Sequence, residues 1–543
     1  MWSFAVGFFD PLILGYLTPL ASWPARLAVI SFALFVNLFW LYGIYHLVFT
    51  LCSWRLHRLP LARPPTTDGS PPPRVALLYL TMNDFSEEAL GSCLSQSYPA
   101  FDVYVLDDST SAEAGQAIDR FVASAGEERV QVIRRPSRSG FKAGNLNHAL
   151  RRMAERYPLF AICDADGVIP TDFLSRLVPY FRLSPTIGFV QANQHVNPSQ
   201  KQRFARDFGF LTDVHGDYYP VTKNRFGFLM FYGHGGIVRM DLWKTLGGFP
   251  EILSEDLAFT SLLRERGYVG LFVPDVVCYE DLPATYPQYL RRQERWIKGT
   301  TEYLLRYFPR LARRKNVAWF EKLDILLSAT VLLNAAPFLI FLLVVGVLLP
   351  WTATQMHLHI PLVVHPFGSL LEEMQAYRLG MRRYTGWTLP FFLMMTVTGC
   401  SQLLAVGLYA WRKPLRTLRC MAEFTFIALA TVPVYTIHFV TYLMTRRGAF
   451  LATGDVRTSD PGRHDRILRL LPWIDSTLAV LFAAVFTRTA NPWLLTVASA
   501  LALHPWLIRF YRNEWGQAGF DGFIYIPFAL VLVVLLLIGS SFL

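Results

Sequence analysis

The stretch Leu159-Phe160-Ala161-Ile162-Cys163-Asp164-Ala165-Asp166 decides the fold of this chain. Five consecutive apolar residues suit a strand buried on both faces, and the acid-small-acid ending suits the turn at its carboxyl end. On its own a D-x-D is more often a loop or a helix cap. Its neighbours give it weight. From Arg74 to about Lys315 strand-like runs alternate with helical stretches: Val75 to Thr81, Phe101 to Leu106 and Val130 to Ile133 precede Leu159 to Cys163. The alternation predicts a mainly parallel sheet covered by helices, with ligands at the carboxyl ends of the strands. Leu106-Asp107-Asp108-Ser109 closes the second strand as Asp164-Ala165-Asp166 closes the fourth.

Two acidic strand ends are what a hard divalent cation needs when it bridges protein oxygens and a diphosphate. Between them lies Ser139-Gly140-Phe141-Lys142-Ala143-Gly144-Asn145-Leu146-Asn147, small residues and amides that open a helix. Lys142 suits a phosphate, and Asn145 or Asn147 a base or ribose; the alternative is a capped helix with a solvated lysine. Phe231-Tyr232-Gly233-His234-Gly235-Gly236 follows, its glycines allowing close backbone approach to a ligand, although a structural His234 in a tight connection fits equally. Ser254-Glu255-Asp256 opens another helix: either a capping acidic pair, or Asp256 is a general base that takes a proton from an attacking hydroxyl. In Tyr289-Leu-Arg-Arg-Gln-Glu-Arg-Trp-Ile-Lys-Gly299, residues Arg292, Arg295 and Trp296 share one helical face. Two guanidinium forks beside a flat ring suit a diphosphate and a sugar, and equally a helix at a membrane surface.

Composition selects among these readings. The chain has 543 residues, 53% hydrophobic and 15% aromatic, with mean hydropathy +0.30. That is too apolar for an ordinary soluble enzyme and too charged for a pure membrane bundle, so a membrane protein with one water-facing domain is expected. The net charge of +11 is concentrated near apolar segments, which favours lipid and phosphate over nucleic acid. The six Cys are scattered without a C-x-x-C pair, against a disulfide framework or zinc site and in keeping with a reducing compartment. The first residues lack the pattern of a removed signal peptide. Residues 4–20, broken by Asp10, Pro11 and Pro19, suit an interfacial or re-entrant segment as readily as a span, whereas 27–51 is long enough to cross. Arg55, Arg58 and Arg63 place the end of that span in the cytoplasm. Later apolar runs at 323–349, 389–411, 473–486, 493–508 and 523–543 are read as spans. The run 420–443 is read as lying at the interface, because a crossing there would put Arg446, Arg447, Arg457, Arg463, Arg466 and Arg469 outside.

The ordered set Asp107-Asp108, Lys142-Ala143-Gly144-Asn145, Asp164-Ala165-Asp166, Gly233-His234-Gly235, Ser254-Glu255-Asp256 and R-Q-E-R-W, followed by apolar helices, resembles the processive family-2 membrane glycosyltransferases. These include cellulose, hyaluronan and chitin synthases and bacterial β-glucan synthases, and the likeness runs over about residues 74–470. It implies an α/β cytosolic GT-A glycosyltransferase domain inserted in an α-helical transmembrane bundle. It implies that Asp107 and Asp164 hold the nucleotide, with Lys142, Asn145, Arg292 and Arg295 as further donor ligands. Asp166, with Asp164, would hold Mg2+ or Mn2+. Asp256 would be the catalytic base, and Trp296, Gly233, His234 and Glu255 would line the acceptor site. A gating loop with the pattern F-x-V-T-x-K corresponds to Phe450-Leu451-Ala452-Thr453-Gly454-Asp455, which makes Thr453 a diphosphate contact. Three positions depart from the family. Arg292 stands where Q-x-x-R-W has Gln, Asp455 stands where the loop has Lys, and Gly233 stands where the acceptor loop has Cys. On this resemblance no counterpart of the cyclic-di-GMP-binding domain of bacterial cellulose synthase is expected, so any such control would come from a partner.

The organisation that follows is an N-terminal membrane region (1–59), a Pro-rich linker (60–73), the glycosyltransferase domain (74–283) and amphipathic interface helices (284–322). Two membrane helices (323–411), an interface helix (412–445), a gating loop (446–471) and three membrane helices (472–543) complete it. The expected activity is processive, inverting polymerisation of UDP-glucose into a β-glucan secreted across the bacterial inner membrane, with the catalytic domain in the cytoplasm. Expected partners are the UDP-sugar donor, the growing glucan, membrane lipids and a periplasmic or regulatory subunit, with no nucleic acid. The alternatives are single transfer to a lipid acceptor, another UDP-sugar such as UDP-GlcNAc, and a transporter with a degenerate nucleotide domain.

Overall fold

A computed structural model describes residues 23–56, 61, 64, 71–126, 130–344, 401–446, 461–489 and 492–513. One compact unit is centred on Leu51–Leu332 and a second is built from apolar helices. The helices that matter below are α1 (Trp23–Leu56), α2 (Phe141–Met153), α3 (Arg203–Lys223), α4 (Glu255–Glu265), α5 (Tyr286–Arg306), α6 (Trp319–Thr330), α7 (Ala335–Leu343), α8 (Pro414–Thr445), α9 (Pro461–Thr489) and α10 (Pro492–Asn513).

The first unit is organised on an eight-stranded sheet, order β3-β2-β1-β4-β7-β6-β8-β5. Its strands are β1 (Val75–Thr81), β2 (Phe101–Asp107), β3 (Val130–Arg134), β4 (Leu159–Asp164), β5 (Gly167–Val168), β6 (Ile187–Val196), β7 (Gly236–Arg239) and β8 (Val269–Glu280). The four expected strands form the parallel half, β1 pairing with β2 and β4, and β2 with β3. The sheet is nevertheless mixed, since β7 runs antiparallel to β4 and β6, and β5 antiparallel to β8. Strand β1 shows why the parallel half reads so clearly. Val75, Leu77 and Tyr79 enter the core on one face of the sheet, and Ala76, Leu78 and Leu80 the core on the other. A strand covered on both sides has no place for a polar residue, so its run is continuous.

Phe160 of β4 is fully buried and meets Phe249 edge-on at 6.1 Å. Phe160→Ala is expected to cost about 3–5 kcal/mol by leaving a cavity in the core. It should lower the thermal midpoint of the purified protein, whereas an unchanged midpoint would mean that the sheet does not rest on this core.

In the helical unit, Phe39 of α1 packs edge-on against Phe338 and Phe341 at 5.7 and 5.4 Å. A buried Asp475–His504 pair, Oδ2 to Nδ1 2.7 Å, ties α9 to α10; between apolar helices such a polar contact acts as glue. Helices α8 and Leu470–Thr487 of α9 are long and apolar enough to cross a membrane, and α6 with α7 makes a third candidate bent by 69°. The expected single span over 323–349 is thus broken. Pro337, in the first turn of α7, has no N–H and its ring clashes with a helical carbonyl four residues back, which forces the turn at 331–334. Helix α8 qualifies as a span by length and composition, so an interface position for 412–445 rests on the flanking arginines and on Pro433 and His438 within the run. The expected gating loop is shortened, because α9 already starts at Pro461. Residues 4–20, the run 523–543 and Thr453 lie outside the described residues.

Candidate active site

The carboxyl ends of β1, β2 and β4 bring five acidic residues, Asp84, Asp107, Asp108, Asp164 and Asp166, to one edge of the sheet. After β1, Asp84 accepts hydrogen bonds from Thr81 Oγ1 (2.9 Å) and the Met82 amide (2.7 Å). At the end of β2, Asp107 accepts from the Ser109 amide at 2.8 Å and from Arg134 Nε at 2.7 Å. Asp108 takes a two-pronged contact from Arg135, at 2.8 and 2.7 Å. This edge is therefore rigid and largely neutralised, with Arg134 and Arg135 supplied by the end of β3.

At the end of β4 the charges are less well matched. Lys142, carried by the first turn of α2, donates to both oxygens of Asp164 at 2.7 Å. Burial pushes the Asp164 carboxyl up, but Lys142, and after it His234, outweigh burial and hold it below the usual carboxylate range. Asp166 has no such partner. Burial, then the neighbouring Asp164, Glu280 and Asp84, push it up to about 8. Glu255 and Asp256, in the first turn of α4, lie at the same site. Glu255 is pushed up to about 8 by burial and by Asp256, and Asp256 is raised by burial despite its bond from the Leu257 amide (2.7 Å). Gly233 is held at φ +80°, and a side chain there would meet Asp256 Cβ at 3.5 Å and Lys142 Nζ at 3.7 Å. This one turn thus brings the glycine-rich loop against both the α2 lysine and the α4 carboxylate. The loop is braced from behind by buried Gln191, which donates to the His234 carbonyl at 3.0 Å and accepts from the Tyr232 amide at 3.0 Å.

Helix α5 closes the site. Thr285 and Gln288 form a reciprocal capping box and Pro287 occupies the first turn, which fixes where the helix begins. Gly299 sits so close to Leu253 and Ser254 that any side chain would collide with the Ser254 hydroxyl, so α5 and the turn before α4 are in contact. The Arg292 guanidinium lies 4.4 Å from the centre of the Trp296 ring and 5.8 Å from that of Phe208 on α3. Arg295 is half-buried, and desolvation followed by Arg292 lowers its pKa, against the opposing pull of Glu255, Asp166 and Asp164. Gln293 points inward and is 2% exposed.

The structure thus gathers Lys142, Asp164, Asp166, Gly233, His234, Glu255, Asp256, Arg292 and Arg295 at one place, with Asp107 at the adjoining strand end. Asn145 turns inward and donates to the Leu106 carbonyl at 3.3 Å, a structural task that holds α2 to β2. Asn147 likewise bonds Phe249 and Trp243 in the core. Asp84, Glu280 and Gln191 were not anticipated. The first repeats the signal of an acid after a strand; the other two lie on strands β6 and β8, whose polar or broken runs hid them. Among the described residues no three His, Cys, Asp or Glu side chains form a closed metal cage. A carboxylate set short of positive charge still fits a divalent cation whose remaining ligands come from phosphate.

Residues 80–299 match the family described as glycosyltransferase like family 2. The chain carries a family 2 glycosyltransferase domain. Its mixed sheet is that of a GT-A-like α/β domain, and apolar helices able to cross a membrane follow it. Curated relatives of the family 2 domain include glucans biosynthesis glucosyltransferase H of Xylella fastidiosa, 28% identical over 268 residues, covering 46% of this chain and 41% of that protein. Glucomannan 4-beta-mannosyltransferase 1 of Cyamopsis tetragonoloba is 28% identical over 249 residues, covering 44% of this chain and 47% of that protein. The chain therefore spans less than half the length of these two relatives. Among solved structures, the mannosyltransferase PcManGT of Pyrobaculum calidifontis, in complex with GDP-Man and Mn2+, aligns at TM-score 0.47 with 20% identity, covering 70% of this chain and 99% of that one.

Proposed function

We propose that the protein is a processive, inverting glycosyltransferase that polymerises UDP-glucose into a β-glucan and passes it across the bacterial inner membrane, with the family 2 domain in the cytoplasm. The observation that carries this reading is the meeting, at Gly233, of Asp256 with the Lys142 that holds Asp164. A base for the acceptor and a cation for the donor are then neighbours. Similarity to a glucan glucosyltransferase supports the glucosyl donor, and similarity to a β-mannosyltransferase makes a mannosyl donor the competing case.

In this reading Lys142 and Arg295 face the diphosphate, and Asp107 and Asp164 hold the nucleotide end. Asp166, with Asp164, would hold Mg2+ or Mn2+, which when bound supplies the positive charge that a departing nucleoside diphosphate requires. Asp256 takes the proton of the acceptor hydroxyl as that oxygen attacks the anomeric carbon from the side opposite the diphosphate. One in-line displacement inverts the centre, and no enzyme nucleophile is needed. Burial raises the basicity of Asp256 toward working pH, as a general base requires. Trp296 offers an aromatic surface to the acceptor sugar, beside His234 and Glu255. Thr453 would contact the diphosphate from the chain that follows α8. Membrane lipids and a periplasmic or regulatory subunit are the proposed partners.

The pH profile carries a signature of the crowded carboxylates. Asp166 and Glu255, both pushed up to about 8, are protonated at low pH, and Asp166 in that state cannot take a cation. The kcat/KM for donor should therefore rise between about pH 6 and 8 as an apparent property of the cluster. Raising Mg2+ or Mn2+ should move this limb to lower pH, since binding releases the proton. A limb at ordinary carboxylate pH that ignores metal concentration would contradict the charge assignment.

Product class tests the reading as a whole. Membranes containing the protein, supplied with radiolabelled UDP-glucose, are expected to yield high-molecular-weight material sensitive to β-glucanase. A single lipid-extractable species would instead identify a one-sugar transfer, and label incorporated only from GDP-mannose would change the donor.

A further inference from the structure

Glu280 ends β8 at the point where three of the site's segments come together. Its main chain pairs with Gly167 of β5 and with Val196 of β6, and its carbonyl accepts from the Asn197 amide at 2.8 Å. The next residue, Asp281, donates its amide to the Asp166 carbonyl at 2.8 Å, so the backbone here is locked to the turn that carries Asp164 and Asp166. The side chain is 12% exposed and faces two partners: Oε2 lies 3.4 Å from His234 Nε2, and Oε1 lies 3.7 Å from the Arg292 guanidinium at Nη2. The Arg292 guanidinium in turn lies over the Trp296 ring, which is 38% exposed.

We infer that Glu280 is a positioning residue for the acceptor half of the site, holding Arg292 flat on Trp296 and His234 beside Asp256; this rests on the glycosyltransferase reading above. The physical need is specific to this chain. Arg292 occupies a helical position one turn from the like-charged Arg295, and without a carboxylate opposite it the two guanidinium groups would be driven apart. Arg292 stacks well on an aromatic ring only while something fixes its plane, because a cation–π contact is weak beside an ion pair in a partly buried place. Among the described residues Glu280 is the one whose carboxylate reaches both Arg292 and His234, and its own position is set by the sheet. It therefore transmits the rigidity of the D-A-D turn to the ring under the acceptor sugar. Loss of that rigidity loosens the acceptor while the donor ligands Lys142, Asp164 and Asp166 stay in place.

The readout is the fate of the donor sugar. A poorly held acceptor leaves the activated sugar to water, so the ratio of free sugar released to sugar transferred should rise. Glu280→Gln and Arg292→Gln are each expected to raise that ratio about tenfold, as a small misplacement of a reacting group does. In Glu280→Gln the KM for donor should change less than about threefold, since none of the donor ligands named above is replaced. The double variant should be no worse than either single one, because both remove the same ion pair. The assay uses the full-length protein in membranes with whichever of UDP-glucose, UDP-N-acetylglucosamine or GDP-mannose the wild type turns over fastest. A wild-type ratio in the variants, a donor KM that rises in step in Glu280→Gln, or multiplicative effects in the double variant would overturn the inference. If Glu280→Gln fails to fold, Arg292→Gln alone decides by the same ratio. Wild-type protein that turns over no nucleotide sugar would remove the glycosyltransferase reading, and this inference with it.

Discussion

Asp256→Asn is expected to abolish sugar transfer, lowering kcat by about 10²- to 10⁴-fold, the range for losing a general base. The amide keeps the size of the side chain and still accepts the bond from the Leu257 amide, so α4 should start unchanged. Donor binding should survive, because Lys142 makes its contacts with Asp164 independently of Asp256. Calorimetric titration with UDP alongside a transfer assay separates the two effects. Residual transfer at a few per cent of wild type, or loss of UDP binding in parallel, would move the base to another residue. Glu255, the adjoining raised carboxylate, would be the first to examine.

The second large effect is expected at Asp166. Asp166→Asn should lower transfer by about 10³-fold, the scale associated with losing charge stabilisation of a leaving group. UDP binding should weaken at the same time and lose its dependence on divalent cation, which distinguishes this variant from Asp256→Asn. The environment makes the prediction asymmetric between the two acids of the D-A-D turn. Asp164 already has Lys142 on both oxygens, whereas Asp166 is crowded by Asp164, Glu280 and Asp84 with no lysine of its own. Titrating UDP with and without Mn2+ measures the difference, and cation-dependent binding that persists in Asp166→Asn would assign the metal to other groups.

The parallel half of the sheet was legible because its chemistry is one-sided. Strands covered on both faces admit only apolar residues, so β1, β2, β3 and β4 are visible as runs, and acids stand out where each run stops. The second half was not legible for the opposite reason. Strand β6 buries Gln191 and Asn193, and β8 contains Pro274, so neither shows an apolar or alternating pattern. Their polar groups are satisfied by tertiary partners such as the His234 loop, which no local window contains. Glu280 was hidden with them. On α5 the sequence placed Arg292, Arg295 and Trp296 on one face but gave no hint that Arg292 would stack on Trp296 itself. The bend between α6 and α7 was legible in Pro337 and was passed over because the hydropathy ran through it without a break.

The most direct measurement of the central claim is the configuration of the bond that is made. Purified protein given UDP-glucose and Mn2+ should release UDP, and the anomeric proton of the newly added sugar, followed by NMR, should have the large coupling of a β-linkage. Transfer with retention, giving an α-linkage, would contradict a single displacement driven by Asp256, and so would release of UDP that does not depend on that carboxylate.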